Sequence, residues 1–274
     1  MEYMNFRDKV WTSLENYKIN SIGIIEKYCK KYKRRNSDEY FSVEYGHILP
    51  KDKTDKNLMD GVIFPDGADI HKDAHHLNSS QIMCINFFTH LIKTESGKKI
   101  LLEWIEQRLG ISLCDGVEIA EASFEKIFFE NEGTNFDFYI KLSDGKNIYF
   151  EIKYTENGFG KANGKSDSYT AKWRDVYTPM IAESLYLKDI DKDSFLKNYQ
   201  INRNVVYIKN ENDFCVFLYP FENGSLEEEM KNICYENIRK VDWNDAVQTV
   251  LELTEGSGLF DYFEEFRKKY LSFL

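Results

Sequence analysis

Three charged residues stand where a buried hairpin has no need of them. The stretch TNFDFYIKLSDGKNIYFEIKYTE, Thr134 to Glu156, reads as two strands around a tight turn, apolar or aromatic at most positions, yet it keeps Asp137, Glu151 and Lys153. Two carboxylates and an ammonium are the parts of metal-assisted phosphodiester hydrolysis. Hard oxygens hold Mg²⁺, with Mn²⁺ able to substitute, and a nearby Lys steadies the attacking water and offsets charge on a phosphorane-like transition state. Whether the three meet depends on the turn. Leu142-Ser143-Asp144-Gly145-Lys146 suits a three-residue loop, a type I turn with Gly145 left-handed that forms a G1 bulge and pairs Leu142 with Lys146.

Counting outward from that pair puts Tyr139 opposite Tyr149 and Asp137 opposite Glu151, with Cβ atoms roughly 5 Å apart and Lys153 two residues further on the same face. A two-residue Asp-Gly turn would instead send Asp137 to the face opposite Glu151. The remaining face carries Phe136, Phe138, Ile140 and Leu142 beside Ile148, Phe150, Ile152 and Tyr154. One face is therefore expected to be core and the other to carry the charges. Like charges directly opposed destabilise a sheet, and a divalent cation between them explains the placement. The plainer alternative is that Lys153 only neutralises the pair.

The flanking elements must present this hairpin. Residues 1–35 place Val10, Leu14 and Tyr17, then Ile22, Ile25 and Tyr28, at helical spacing, which predicts two helices ending in the basic run KYCKKYKRR, Lys27 to Arg35. That run is either a solvated helix end or a phosphate contact. Residues 36–76 form a loop-rich connector with Pro50 and Pro65. Asn78, Ser79 or Ser80 caps a helix through QIMCINFFTHLI, and a second helix near Gly97 to Leu109 ends at Gly110. From Val117 the period changes, giving strands at roughly 118–129, 134–142 and 147–155, a Gly-rich loop from Asn157 to Gly164, and helices across roughly 170–203. NVVYIKN and DFCVFLYP read as a further strand pair before a helical C-terminus. The stripe Leu259, Phe260, Phe263, Phe266, Tyr270 and Leu271 there is core or a dimer contact. The order predicts an α/β fold, a central mixed sheet flanked by helices with helical segments at both ends. Its parts are residues 1–76 as an N-terminal extension, 77–235 as the core and 236–274 as a C-terminal helical segment.

With these residues in place the chain resembles the PD-(D/E)XK nucleases, also called restriction-endonuclease-like. Asp137 matches the Asp of the second core strand, and Glu151-Ile152-Lys153 matches the (D/E)XK of the third; Phe136 stands where the Pro usually precedes the Asp. The resemblance covers roughly residues 78–220, and FEIKYTENGFGKA is similar to a group of uncharacterised bacterial restriction-endonuclease-like proteins. It implies a restriction-endonuclease-like core, one or two Mg²⁺ ions held by Asp137, Glu151 and the carbonyl of Ile152, and cleavage of double-stranded DNA leaving a 3'-hydroxyl. A further acidic residue would come from Glu103, Glu106, Glu121 or Glu125, with Glu125 placed first because it is close enough to Asp137 for adjacent strands. Tyr199-Gln200 with Arg203 are candidates for the polar position that some families carry on the helix after the third strand, with Arg203 also a candidate for DNA contact; the plainer alternative for Gln200 is an ordinary helix-end residue. Lys161 and Lys165, in the loop after the motif, are candidates for DNA phosphate.

Composition bounds the rest. The chain has 274 residues, 42% hydrophobic and 15% aromatic, enough for a sizeable core, and the five cysteines are odd in number and scattered, which fits reduced thiols. No run approaches the roughly 18 apolar residues of a membrane span, and MEYMNFRDKVW is neither a signal nor a transit peptide, so the cytoplasm is expected. A net charge of −10 does not advertise a nucleic-acid binder, and any cationic surface must be local. His71 and His75 have i, i+4 spacing without H-E-x-x-H, and loop or cap histidines are favoured over zinc, while HHLNSSQ is a candidate lining of the cleft. The expected activity is a Mg²⁺-dependent endonuclease in restriction or phage defence, with a homodimer suited to double-strand cleavage. The alternatives are a structure-specific repair or recombination nuclease and a catalytically inactive nucleic-acid or protein-binding module.

Overall fold

The computed structural model describes residues 5–273 other than 131, 134 and 163–166. Helix α1 (Phe6–Tyr17) starts where the Asn5 side chain accepts from the Asp8 amide, widens over Lys18–Ile22 and stops at left-handed Gly23. The basic run is then strand, not helix end: β1 (Tyr28–Lys33) pairs antiparallel with β2 (Tyr40–Tyr45), Tyr32 opposite Phe41 and Lys30 opposite Val43. Aromatic and β-branched partners across a two-stranded ladder outweigh a helical spacing that Gly23 has already interrupted.

Two helices follow the connector. Ser79 caps α2 (Ser80–Lys93), and Thr94 caps α3 (Glu95–Leu109), which ends at left-handed Gly110 as expected. Helix α2 is buried along most of its length, consistent with its continuous apolar run. Where it meets α3, a Cβ on Gly97 would lie 2.3 Å from the backbone oxygen of His90. Gly97→Ala should therefore destabilise the protein by roughly 1–3 kcal/mol, read as a lower midpoint in urea unfolding. An unchanged midpoint would mean that the α2–α3 junction yields freely.

The main sheet runs β3 (Ile119–Ile127), β4 (Asn135–Leu142), β5 (Asn147–Ile152), then past the short helices α4 (Asp167–Lys172), α5 (Thr178–Glu183), α6 (Lys192–Lys197) and α7 (Tyr199–Val205) to β6 (Asp213–Tyr219). Helix α8 (Gly224–Met230), β7 (Ile238–Asp242), α9 (Trp243–Thr254) and α10 (Phe260–Leu271) complete it. The strand order is β3-β4-β5-β6-β7, antiparallel through β5 and parallel from β5 to β7. This is the mixed α/β sheet expected. Strand β7 lies in a segment read as helical, and Asn204–Asn210, read as a strand, is the end of α7 and a turn. A short apolar run such as Val205-Val206-Tyr207-Ile208 has the same pattern in a buried helix end as in a strand.

The hairpin turn is the one expected. Gly145 takes φ 92°, its amide donates to Leu142 at 3.1 Å, and the Leu142 amide donates to Lys146 at 2.9 Å. Tyr139 faces Tyr149 and Phe138 faces Phe150.

One face is core, as expected, and the face that carries the charges is covered as well. One face packs on α1, α2, α3, α9 and α10, with Phe138 stacked on Phe88 at 4.1 Å. The other is also covered: Tyr139, Tyr149 and Phe217 lie in a second core with Tyr177, Ile201 and Val205. Phe136 joins this second core, 4.8 Å from the Tyr149 ring, because β4 loses strict alternation at Asp137. Both faces of the sheet are covered by helices, so Glu151 is buried while Asp137 and Lys153 stay partly exposed. Among the described residues no helix is long and apolar enough to cross a membrane.

Candidate active site

The β3–β4 register sets Phe124 opposite Phe138 and Lys126 opposite Phe136, so Glu125 lies opposite Asp137, while the β4–β5 pairing runs as far as Phe138 opposite Phe150, one step short of Asp137 and Glu151. Three carboxylates thus gather on three adjacent strands, at the point where β4 and β5 part. Glu125 holds φ 51°, a left-handed conformation uncommon for a residue with a Cβ, and it re-aims the side chain within β3. Its Oε1 accepts from Gln81 Nε2 at 2.7 Å, and Oε2 accepts from Asn135 Nδ2. Asp137 Oδ2 takes the amide of Ile152 at 2.6 Å, which replaces a ladder bond at the point where β4 and β5 part.

Glu151 lies deeper, 2% exposed. Its Oε1 accepts from Lys153 Nζ at 2.5 Å and from Gln200 Nε2 at 2.5 Å; its Oε2 accepts from Asn204 Nδ2 at 2.7 Å, with an Arg203 guanidinium nitrogen 3.7 Å away. Gln200, Arg203 and Asn204 share the face of α7 because three- and four-residue steps bring helical side chains together. Behind Lys153, its amide donates to Leu218 on β6 at 3.0 Å and its carbonyl accepts from Trp243 Nε1 at 3.1 Å, tying the motif to both cores.

Charge is unevenly compensated within the cluster. Burial would raise the Glu151 carboxyl, but the charges of Lys153 and Arg203, with hydrogen bonds from Lys153 and Asn204, bring it below its ordinary value. Burial also works against the Lys153 ammonium, yet Glu151 and Asp137 carry it upward. Asp137 is held well above the usual carboxylate range by burial and by the Glu151 charge, against the opposing pull of Lys153. Burial, with Glu151 and Asp69 adding to it, lifts Glu125 to about 7 against its hydrogen bond from Gln81. The cluster therefore carries more negative charge than Lys153 balances. Its donors are hard oxygens, the kind a divalent cation such as Mg²⁺ takes, but among the described residues the three carboxylates do not all bring an oxygen within 4.8 Å of one another.

Glu125 and Asp137 open onto a cleft of about 570 Å³, whose other walls include Arg7, Trp11, His76, Ser80, Gln81 and Glu156. The HHLNSSQ segment lines it from His76 to Gln81. Among the described residues Asp73, His75 and His76 bring donor atoms within 4.8 Å of one another beside it, and burial holds His76 down at about 4. This pairs adjacent histidines with Asp73 and leaves out the i, i+4 partner His71.

The other sequence candidates lie elsewhere. Glu121 pairs with Lys126 at 2.5 Å, Glu106 accepts from the Leu113 amide, and Glu103 is on α3. Lys161 is exposed and 3.8 Å from Glu229, and Lys165 lies outside the described residues. Gln81 closes the HHLNSSQ lining, whereas Asn204 and Asn135 are contacts of the carboxylates that the sequence reading misses. For Asn204 the signal was its place four residues after Gln200, hidden by reading NVVYIKN as a strand. Gln81 and Asn135 reach Glu125 across 44 and 10 residues of sequence, and only folding joins them.

No curated protein and no solved structure matches the chain. Residues 25–271 match the family model REase-ARP, described as restriction endonuclease associating with ARP. With that span covering the sheet, both cores and the carboxylate cluster, the chain belongs to this restriction endonuclease family.

Proposed function

We propose that the protein is a metal-dependent endonuclease that hydrolyses DNA phosphodiester bonds in restriction or phage defence. The observation that carries this reading is the gathering of Glu125, Asp137 and Glu151 on the adjacent strands β3, β4 and β5, with Lys153 against Glu151. A fold that served structure alone gains nothing by bringing three carboxylates together. A bound Mg²⁺ supplies Lewis-acid polarisation of the phosphate and a more acidic water. The chain's own part is positional. Asp137 and Glu125 present oxygens to the cleft, α7 holds Glu151 in one orientation, and the Lys153 ammonium stands where it can orient water and offset charge on phosphorus.

The direct test is incubation of methylated and unmethylated phage and plasmid DNA with the protein in Mg²⁺ or Mn²⁺. Discrete fragments that require the metal are expected; intact DNA in every combination would remove the reading.

The charge balance also predicts a pH dependence. The Glu125 carboxyl is raised from 4.5 to about 7 in the fold, and Asp137 is shifted the same way. An acid with a raised folded value adds stability that is full below its unfolded value and is lost as the pH passes the folded one. The metal-free protein should accordingly lose stability between about pH 4.5 and 7, and metal should restore it. Saturating Mg²⁺ is expected to raise Tm by about 5–10 °C at pH 8 and by less than half of that at pH 5.5. Equal shifts at the two pH values would show that the cluster does not take the ion.

A further inference from the structure

The proposed reaction leaves an electrostatic problem. The cleft is lined by Asp69, Asp73, Glu125, Asp137 and Glu156, and the chain as a whole carries −10, a field that repels a polyphosphate backbone. The compensating surface is the ribbon β1–β2. Between residues 27 and 45 the chain has six basic residues against three acidic ones, reversing its overall balance.

No residue of either strand joins either core, and Lys30, Lys31 and Lys33 are exposed. Lys33 and Arg34 pair with Asp38 and Glu39 near the tip, while among the described residues no carboxylate lies within ion-pair distance of Lys30, Lys31 or Arg35. Two large rings are also left to solvent, Tyr40 at 63% and Phe41 at 44% exposed. A solvated hairpin has no need of exposed aromatics.

The ribbon is rooted in the wall of the cleft. At its base the Tyr28 ring lies 5.5 Å from His75 and 6.5 Å from His76, and Tyr45 lies 6.0 Å from Trp11. Trp11 and His76 themselves line the cleft. Tyr32 and Tyr45 share a hydrogen bond of 2.9 Å between hydroxyls, which stiffens the ladder. Strands about 4.8 Å apart make a ribbon that enters a major groove about 12 Å wide, and a six-residue strand reaches about 20 Å along it.

We propose that β1–β2 is a duplex-DNA arm: it enters the major groove next to the scissile site, with Lys30, Lys31 and Lys33 on the flanking phosphates and Tyr40 and Ser42 facing base edges. The inference rests on the nuclease reading of the cleft. It also accounts for how an acidic protein holds DNA, by concentrating the cations on one projecting element.

The experiment is binding of a labelled mixed-sequence duplex in Ca²⁺, across a salt series, by wild type, by Lys30→Gln/Lys31→Gln/Lys33→Gln, and by Lys99→Gln/Lys268→Gln as a charge control. Thermal melting confirms that each variant folds. Loss of three phosphate contacts should weaken binding about 10²-fold near 0.15 M salt and reduce the slope of log K against log salt by about 2–3, with the control near wild type. Binding by the ribbon variant equal to wild type, or equal losses in variant and control, would overturn the inference. Cleavage by wild type is scored separately. A wild type that cuts DNA with ribbon-independent binding defeats the arm and leaves the nuclease. A wild type that binds through the ribbon but never cuts defeats the nuclease and leaves the arm.

Discussion

Asp137→Asn and Lys153→Met should each lower DNA cleavage by at least about 10³-fold, a loss of about 4 kcal/mol of transition-state stabilisation. The Asn variant keeps an oxygen that can accept the Ile152 amide, now 2.6 Å from Asp137 Oδ2, so the strand junction is preserved while the charge that would hold a cation is removed. The Met variant keeps the length of the side chain and deletes the ammonium 2.5 Å from Glu151. Neither touches the cleft wall from His76 to Gln81. Single-turnover cleavage with saturating Mg²⁺ is the measurement, beside duplex binding to show that substrate still docks. If either variant keeps more than about a tenth of wild-type rate, the cluster is not the centre of the chemistry.

The same lysine should matter for stability, and in a way that separates its two roles. Glu151 is 2% exposed, and its nearest cation is Lys153, with Arg203 at 3.7 Å. Removing one partner of a buried ion pair leaves the other charge uncompensated, which costs about 3–5 kcal/mol. Lys153→Met is expected to fall in that range by urea unfolding of the metal-free protein. Adding Glu151→Gln removes the stranded charge while its oxygen still accepts from one of Gln200 and Asn204 and its NH2 donates to the other once that amide turns its oxygen inward, and should recover about 2–3 kcal/mol. Activity should not return with it. Additive losses in the double variant would show that Lys153 and Glu151 are energetically independent, and Lys153 would then have no part in holding Glu151.

The difference between these two effects reflects where each group sits. Asp137 and Glu125 line the cleft and carry the unbalanced charge, whereas Glu151 and Lys153 form a compensated pair behind them. The positive φ of Glu125 and the missing ladder bond at Ile152 fall within the same cluster. Irregular backbone is concentrated where the carboxylates meet, as expected of a site that trades local order for geometry.

Local chemistry was legible in the sequence. Gly145 and the Leu142–Lys146 loop set the hairpin register, and that register places Tyr139 opposite Tyr149 and Phe138 opposite Phe150, which leaves Asp137 and Glu151 at the next step. Ser79, one of three cap candidates, and Gly110 mark helix ends through side-chain and backbone groups within a few residues of the ends they cap. The mixed sheet followed from the change of period at Val117. What tertiary structure decided was every relation between segments far apart in the chain. It placed α7 over the face that carries the charges, and it brought Asn204 to Glu151 across 53 residues. It recruited IRKVD as β7, because a five-residue strand with two basic residues gains its burial only from β6 beside it. It made KYCKKYKRR a strand, because its aromatic residues find partners in Phe41 and Tyr45, which no window of helical spacing contains. Turns and caps are written in neighbouring residues, whereas burial, ion pairing and pKa depend on which distant surfaces exclude water.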